Sequence, residues 1–482
     1  MLNGRIIGRS LGILLIMEGI CMLTVIPVSL YYADGDLVSI VISTAITLAA
    51  GLLLSQVFKS KDSTLGKREG YLIVTSSWLV FSLFGSLPFI IGGAIPSYTD
   101  AFFETISGFT TTGASILTDI ESLPHGLLYW RSMTQWLGGM GIIVLSLAIL
   151  PVLRIGSMQL FSAEVPGLKT DKLHPKIRET AKRLWAIYLG FTLLETLLLK
   201  LGGMSFFDAI NHSFTTMATG GYSTKNASIA AFDSAYIDYV ITIFMVIAGT
   251  NFSLAYFGLH GRFRKIFTND EFLFYISLLL VFIAIVTAVL HFTAGHETKE
   301  SLRLAVFQVV SIVTTTGYAT ADFSAWGPFL VLIIFILMFT GGSAGSTGGG
   351  IKMVRLLLLA KNSRQELRRL IHPNAVIPVR LNHKAVSQNT MYNVLAFIVF
   401  YFFITGLSSI IISSMGYDLS SSFSAVAASL GNIGPGLGDV GPTMNYAHFP
   451  VFGKWFLSFL MLLGRLELFT VLVLFTRWFY KN

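Results

Sequence analysis

Charged residues are scarce in this chain. Asp, Glu, Lys and Arg make up 12% of its 482 residues against 54% hydrophobic, about half the charged fraction of a typical soluble domain, so a globular surface could not be covered. Cysteine is nearly absent. The single Cys21 excludes internal disulfides and a cysteine-based metal site, and reads as a small apolar filler. No paired carboxylates, histidine cluster or nucleophile beside a base recurs at membrane depth, which argues against an enzyme. A cleavable leader is not expected either: Arg5 and Arg9 precede an apolar segment longer than a signal core, and it carries Glu18.

What the chain does have is apolar length. Ten stretches, near 8–32, 37–58, 70–92, 127–150, 184–202, 235–258, 272–295, 326–340, 391–414 and 454–476, recur from end to end. A segment of about 20 residues, rising roughly 1.5 Å per residue, crosses a hydrocarbon core about 30 Å thick. The charge of +8 could suggest nucleic acid, but the placement of the basic residues excludes it. With the N-terminus inside, the termini and cytoplasmic connections hold 26 of the 33 Lys and Arg, the bias expected of a multi-pass protein with both termini cytoplasmic.

Between certain pairs of spans lie apolar segments too short to cross, each ending in a Thr/Gly-rich string. The first runs Phe103 to Ser115 through Thr110-Thr111-Thr112-Gly113, and the third runs Phe307 to Ala319 through Thr314-Thr315-Thr316-Gly317. The second carries Ala218-Thr219-Gly220, and the looser fourth carries Asn432-Ile433-Gly434. Alignment on Gly113, Gly220, Gly317 and Gly434 gives units of membrane helix, short re-entrant helix, glycine string and membrane helix, a sign of duplication. All four short segments enter from the outer face, and parallel repeats about an axis along the membrane normal enclose a central pathway. Asp100, Asp208 and Ser420 to Ser422 are candidate helix N-caps, and a short helix of about ten residues reaches roughly 15 Å into the bilayer. Its partially negative C-terminal end would favour a cation.

Non-helical backbone at membrane depth is tolerable only where it lines water or is buried in protein. Backbone carbonyls of Thr111, Thr112 and Gly113, Ala218, Thr219 and Gly220, Thr315, Thr316 and Gly317, and Asn432, Ile433 and Gly434 are the expected ion ligands. No carboxylate falls within the strings, which argues for a monovalent ion over a divalent one.

These strings, the extra N-terminal pair of spans, Trp136-Leu137-Gly138-Gly139-Met140-Gly141, the glycine-rich run 341–350 and Leu463-Gly464-Arg465-Leu466-Glu467 resemble the Trk/Ktr/HKT potassium transporter superfamily, and its TrkH-type subunits in particular, over essentially the whole chain. The resemblance implies K⁺ uptake across the bacterial inner membrane, a degenerate filter with one glycine per repeat, a homodimer among lipids, and a cytoplasmic TrkA-type ring that alone would bind nucleotide. No cofactor is expected in this chain and K⁺ is its transported ion. The expected fold is an all-α polytopic membrane protein of four helix–pore-loop–helix repeats in pseudo-fourfold arrangement. Residues 1–69 form a two-span appendage, followed by repeats at 70–183, 184–271, 272–390 and 391–482. Ion-coupled symport with H⁺ or Na⁺ on the same scaffold is the alternative; it needs a titratable or second-ion site that the strings do not offer.

Residues 341–350 hold six glycines. At about 1 kcal/mol per glycine relative to alanine, the helix cannot continue there. A phosphate loop is excluded, since the run lacks the Gly-Lys-Ser/Thr ending and no strand precedes it; close packing of small residues is the other reading. The family resemblance makes residues 341–352, through Gly341, Gly342, Ser343, Gly345, Ser346, Gly348, Gly349, Gly350 and Lys352, an intramembrane gating loop. Arg465, costly within a span, is expected to face the pore and donate to freed carbonyls of this loop, or else to pair with a neighbouring helix or subunit. Glu467 is on a different helical face from Arg465. Glu18 and Glu195 are read as satisfied helix contacts, and His212 as locally paired rather than a metal ligand. The basic stretches near 154–183 and 352–390, the latter with Pro373 and Pro378, could meet a partner or anionic lipid.

Overall fold

The computed structural model describes residues 2–59, 66–141, 177–295, 297–372, 374 and 377–480. The end of the 127–150 stretch, most of the 154–183 stretch and Pro373 lie outside the described residues. Helices dominate, and the paired strands are a two-residue hairpin, Arg380–Leu381 with Lys384–Ala385.

Gly4–Tyr32 and Leu37–Val57 form the N-terminal pair. They cross at Gly12 and Gly51, where a Cβ on either residue would lie 2.8 Å from the carbonyl oxygen of the other. Small residues allow this approach, which replaces the hydrophobic drive that lipid does not supply between helices. Each of the four repeats then opens with a long outer helix, Lys67–Ile91, Ala181–Leu201, Asp270–Thr293 and Gln388–Ser413. Side chains such as Leu280, Val281, Phe400 and Phe403 are exposed on these helices, as expected of a lipid-facing surface.

The re-entrant helices are Tyr98–Phe109, Phe206–Met217, Thr298–Val313 and Leu419–Gly431. They occupy the centre, and every residue from Ala101 to Phe109 is buried. The third has 16 residues, longer than expected. Their starts differ from the sequence reading. Ser97 accepts from the Asp100 amide at 3.4 Å, Ser205 from the Asp208 amide at 2.9 Å and Asp418 from the Ser421 amide at 3.1 Å. Asp100 instead pairs with Lys454 at 2.6 Å, and Asp208 accepts from Thr224 at 2.6 Å. Acidic residues favour the whole first turn of a helix through its dipole, so an Asp at the third position mimics a cap in sequence.

The inner helices correct the expectation that only the third repeat is interrupted. His125–Gly139, Ala235–Ala248, Pro328–Leu337 and Val451–Arg465 are all short. The second bends by 106° into Phe252–Leu259 and the fourth by 110° into Phe469–Phe475. Asn251 caps the new direction by accepting from the Ser253 amide at 2.8 Å, and Glu467 and Leu468 take left-handed φ of +54° and +57°. After Gly139 the chain reaches Gly141 at φ +67°. The break expected in repeat three alone is thus shared, among the described residues, by repeats two and four.

Candidate functional site

Every re-entrant helix ends in the same turn. The amides of Thr112, Gly220, Thr316 and Ile433 donate five residues back, to the carbonyls of Ser107, Thr215, Ser311 and Ala428, at 2.8–2.9 Å. This six-to-one closure requires a left-handed residue just before it. Thr111, Thr219, Thr315 and Asn432 supply it at φ +53°, +54°, +61° and +54°. Two residues further on, Gly113, Gly221, Gly317 and Gly434 are left-handed at +83°, +76°, +81° and +95°. A non-glycine residue in this region costs on the order of 1–3 kcal/mol and persists only where its surroundings hold it, commonly at functional sites.

This geometry moves repeat two by one residue. Thr219, Gly220 and Gly221 correspond to Thr111, Thr112 and Gly113, while Ala218 matches Thr110 and Thr314 at the helix end. The turning glycine is Gly221, and Gly220 is not left-handed. Alignment on Thr-Gly selected Gly220 because two glycines stand together, and only the sign of φ separates them.

The four strings close a ring. A Cβ added to Gly113 would lie 2.1 Å from the Gly220 oxygen, one on Gly221 2.0 Å from the Thr316 oxygen, one on Gly317 1.9 Å from the Ile433 oxygen, and one on Gly434 2.8 Å from the Thr112 oxygen. Each repeat touches the next and the fourth returns to the first. Buried hydroxyl pairs brace the ring: Thr110 with Thr112 at 2.7 Å and Thr314 with Thr316 at 2.8 Å. The Asn432 amide donates to the Thr112 hydroxyl and to the Met461 carbonyl, each at 2.9 Å. Such a cage of backbone oxygens at the converging C-terminal ends of four helices can replace the water around a desolvated cation.

Behind it lies a cluster that the sequence reading did not single out. Arg131 donates to Glu104 at 2.7 Å and to the Ser223 carbonyl at 3.0 Å, and its guanidinium lies 3.5 Å from the Tyr222 ring centroid. Glu104 also accepts from the Ile116 amide at 2.9 Å. An acid and an arginine within apolar segments were the available signal. His212 is paired locally, with the Asp208 carbonyl at 2.8 Å and Ser223 at 2.9 Å. Glu195 sits behind the second re-entrant helix near Tyr318 and Thr216. Glu18 and Glu195, both expected to be satisfied, are buried with no hydrogen-bond partner among the described residues.

Residues 341–350 form no helix and lie against the ring. The Gly349 amide donates to the Thr315 hydroxyl at 2.6 Å, and a Cβ on Gly349 would lie 2.4 Å from the Gly431 oxygen. The Ser343 amide donates to the Gly249 carbonyl at 2.8 Å, the Thr347 hydroxyl to the Met217 carbonyl at 3.0 Å, and the Phe252 amide to the Gly345 carbonyl at 3.1 Å. The Ser346 amide donates to the Ser343 carbonyl at 3.1 Å, and the Met353 amide to the Gly342 carbonyl at 3.1 Å. Gly341 packs against the Gly349 carbonyl, Gly350 is left-handed at +63°, and the Lys352 ammonium donates to the Gly348 carbonyl. Glu271 was missed in the sequence, yet it holds both ends of the loop by accepting from the Ala344 amide at 2.6 Å and the Val354 amide at 3.2 Å.

Arg465 ends the fourth inner helix and reaches across. It donates to the Thr347 carbonyl of the loop at 2.8 Å, and to Gly138 and Gly139 of repeat one at 2.5 and 3.2 Å. Glu467 pairs instead with Arg355, whose guanidinium lies 3.9 Å from the Phe397 ring centroid.

Four re-entrant helices, four short inner helices and a closed ring of peptide oxygens define a multi-pass membrane protein of the cation-transport class. The chain belongs to the TrkH family, whose model, described as a cation transport protein, matches residues 37–479. Among its relatives are the Trk system potassium uptake protein TrkH of Halomonas elongata, 43% identical over 99% of both chains, and that of Escherichia coli K12, 44% identical over 99% of both. The crystal structure of the potassium transporter TrkH from Vibrio parahaemolyticus covers 100% of both chains with a TM-score of 0.90 at 38% identity.

Proposed function

We propose that this chain takes up K⁺ across the bacterial inner membrane through a channel-like pore whose selectivity filter is the ring of backbone carbonyls at Thr112, Gly220, Thr316 and Ile433 and the residues beside them. The closure of that ring from repeat to repeat carries the reading. The buried Glu104 carboxylate behind it is paired with Arg131, so the cage offers a monovalent ion peptide dipoles rather than free carboxylates. The named substrate of the Halomonas and Escherichia relatives supports K⁺.

The 341–352 loop, fastened to the filter at Thr315 and to Arg465 at Thr347, acts as the gate in its closed position. The chain works as a homodimer in lipid with both termini cytoplasmic, and a cytoplasmic TrkA-type nucleotide-binding ring moves the gate. The domain boundaries follow the repeats at 70–183, 184–271, 272–390 and 391–482 behind the 1–69 appendage.

Purified full-length chain in liposomes tests this reading. Zero-current potentials should follow the gradients of K⁺ and Rb⁺ strongly and that of Na⁺ weakly, and should not respond to pH. A potential that also tracks an imposed pH or Na⁺ gradient in proportion would replace the channel with symport.

A further inference from the structure

The second repeat departs from the other three at the level of the ring carbonyls. Thr112 and Thr316 anchor their carbonyls through hydroxyl pairs with Thr110 and Thr314, and Ile433 is fully buried. Gly220 has no side chain with which to do this, and the residue two positions before it is Ala218.

The missing side chain is supplied by another helix. Gln135, fully buried on His125–Gly139, occupies the space where residue 220 would carry its own: a Cβ added to Gly220 would lie 2.3 Å from Gln135 Cδ, 2.4 Å from Oε1 and 2.7 Å from Nε2. Its amide straddles Gly221. Nε2 donates to the Gly220 carbonyl at 2.7 Å and Oε1 accepts from the Tyr222 amide at 3.0 Å. Packing identifies the corresponding residues of two other inner helices. Gly138 and Gly464 press on the carbonyls of Phe109 and Leu430, three residues before Thr112 and Ile433, which places Met461 where Gln135 stands. Gly139 and Gly249 press on Ala218 and Thr314 of the following repeat, which places Met245 there. The polar side chain thus meets the one ring position, among these repeats, that is glycine.

We propose that Gln135 is a specificity-determining positioning residue: its amide stands in for the side chain that position 220 lacks and holds the Gly220 carbonyl at the ring. Ion discrimination in repeat two then depends on a residue that touches no ion. The inference rests on the ring being the ion site. It follows that positions 135 and 220 are interchangeable, with the anchor coming either from the neighbouring helix or from residue 220 itself. Gly220 lacks the left-handed φ that would forbid a β-branched residue, and with Ala218 behind it an apolar one, as in repeat four, leaves no hydroxyl unpaired.

Full-length protein in planar bilayers under bi-ionic K⁺/Na⁺ conditions tests this through Gln135→Ala, Gly220→Val and the double variant. Loss of one hydrogen-bonded anchor should raise the Na⁺ to K⁺ permeability ratio of Gln135→Ala roughly two- to tenfold. Gly220→Val alone, forced against the Gln135 amide, should raise it too. The double variant should return to within about twofold of wild type, a rescue that general loosening of the helix would not produce. An unchanged ratio in Gln135→Ala, or a double variant worse than either single one, overturns the role of Gln135. If Gln135→Ala does not conduct, Gln135→Met decides. It nearly keeps the volume and matches Met245 and Met461 of the other inner helices, but it has no donor for the Gly220 carbonyl, so its ratio should rise, and an unchanged ratio overturns the proposal. Wild-type protein without preference for K⁺ over Na⁺ would instead remove the ring as the ion site, a separate failure.

Discussion

Arg465 is the sharpest test of how the 341–352 loop is held. Its guanidinium bonds one loop carbonyl, Thr347 at 2.8 Å, and two carbonyls on the first inner helix, Gly138 and Gly139. Only the first joins the loop to Arg465; the other two tie the fourth inner helix to the first. A hydrogen bond from a charged donor contributes about 1.5–3 kcal/mol, so removing it from the closed state should raise the open-to-closed ratio on the order of ten- to a hundredfold. Arg465→Ala therefore increases single-channel open probability without any regulator. On the proposed pore-facing role of Arg465, the same substitution also removes a positive charge from the path and should raise unit conductance. Arg465→Lys separates the two effects, because a lysine keeps the charge but lacks the planar fork that spans three carbonyls. Its open probability should rise while its unit conductance stays near wild type. Recordings in which Arg465→Ala has unaltered open probability would refute the latch.

Gly113→Ala should abolish discrimination between K⁺ and Na⁺ in reversal-potential measurements. Its Cβ would stand 2.1 Å from the Gly220 oxygen, whereas real contacts keep 3.0 Å, and the resulting shift of about 0.9 Å exceeds the roughly 0.5 Å tolerance of a preorganised site. Thr315→Val removes the hydroxyl that accepts from the Gly349 amide and should raise open probability about two- to tenfold in bilayer recordings. Arg131→Met leaves Glu104 buried and unpaired and should destabilise the protein by about 3–5 kcal/mol, read as a lowered melting midpoint in detergent, with Glu104→Gln/Arg131→Met recovering much of it. Asp418, held below the ordinary carboxylate range chiefly by the Ser421 hydrogen bond, stabilises its helix while ionised. The melting difference between wild type and Asp418→Ala should therefore be full at neutral pH and shrink as pH falls below about 4.

The fourfold plan was readable because Thr-Thr-Thr-Gly at 110–113 and 314–317 follows short apolar segments of like orientation. The register of repeat two was not, since Gly220 and Gly221 are chemically identical and differ only in φ. Breaks in the inner helices escaped for a related reason. Ala248 to Asn251 and Arg465 to Leu468 are only four residues each inside long apolar stretches, and hydropathy averaged over a span reports transfer cost rather than where backbone hydrogen bonds stop. Arg465 stood out as a lone charge in a span, but its three carbonyl partners lie 118 to 327 residues away in sequence. Gln135 and Glu271 bond backbone groups, and no pattern of side chains marks such partners before the chain is folded.

Rubidium offers the most direct view of the ring. A structure of the purified protein in Rb⁺, with an anomalous difference map, should show density on the axis among the carbonyls of Thr112, Gly220, Thr316 and Ile433. An axis empty at that level, with the anomalous peak beside carboxylates elsewhere, would contradict coordination by the four strings.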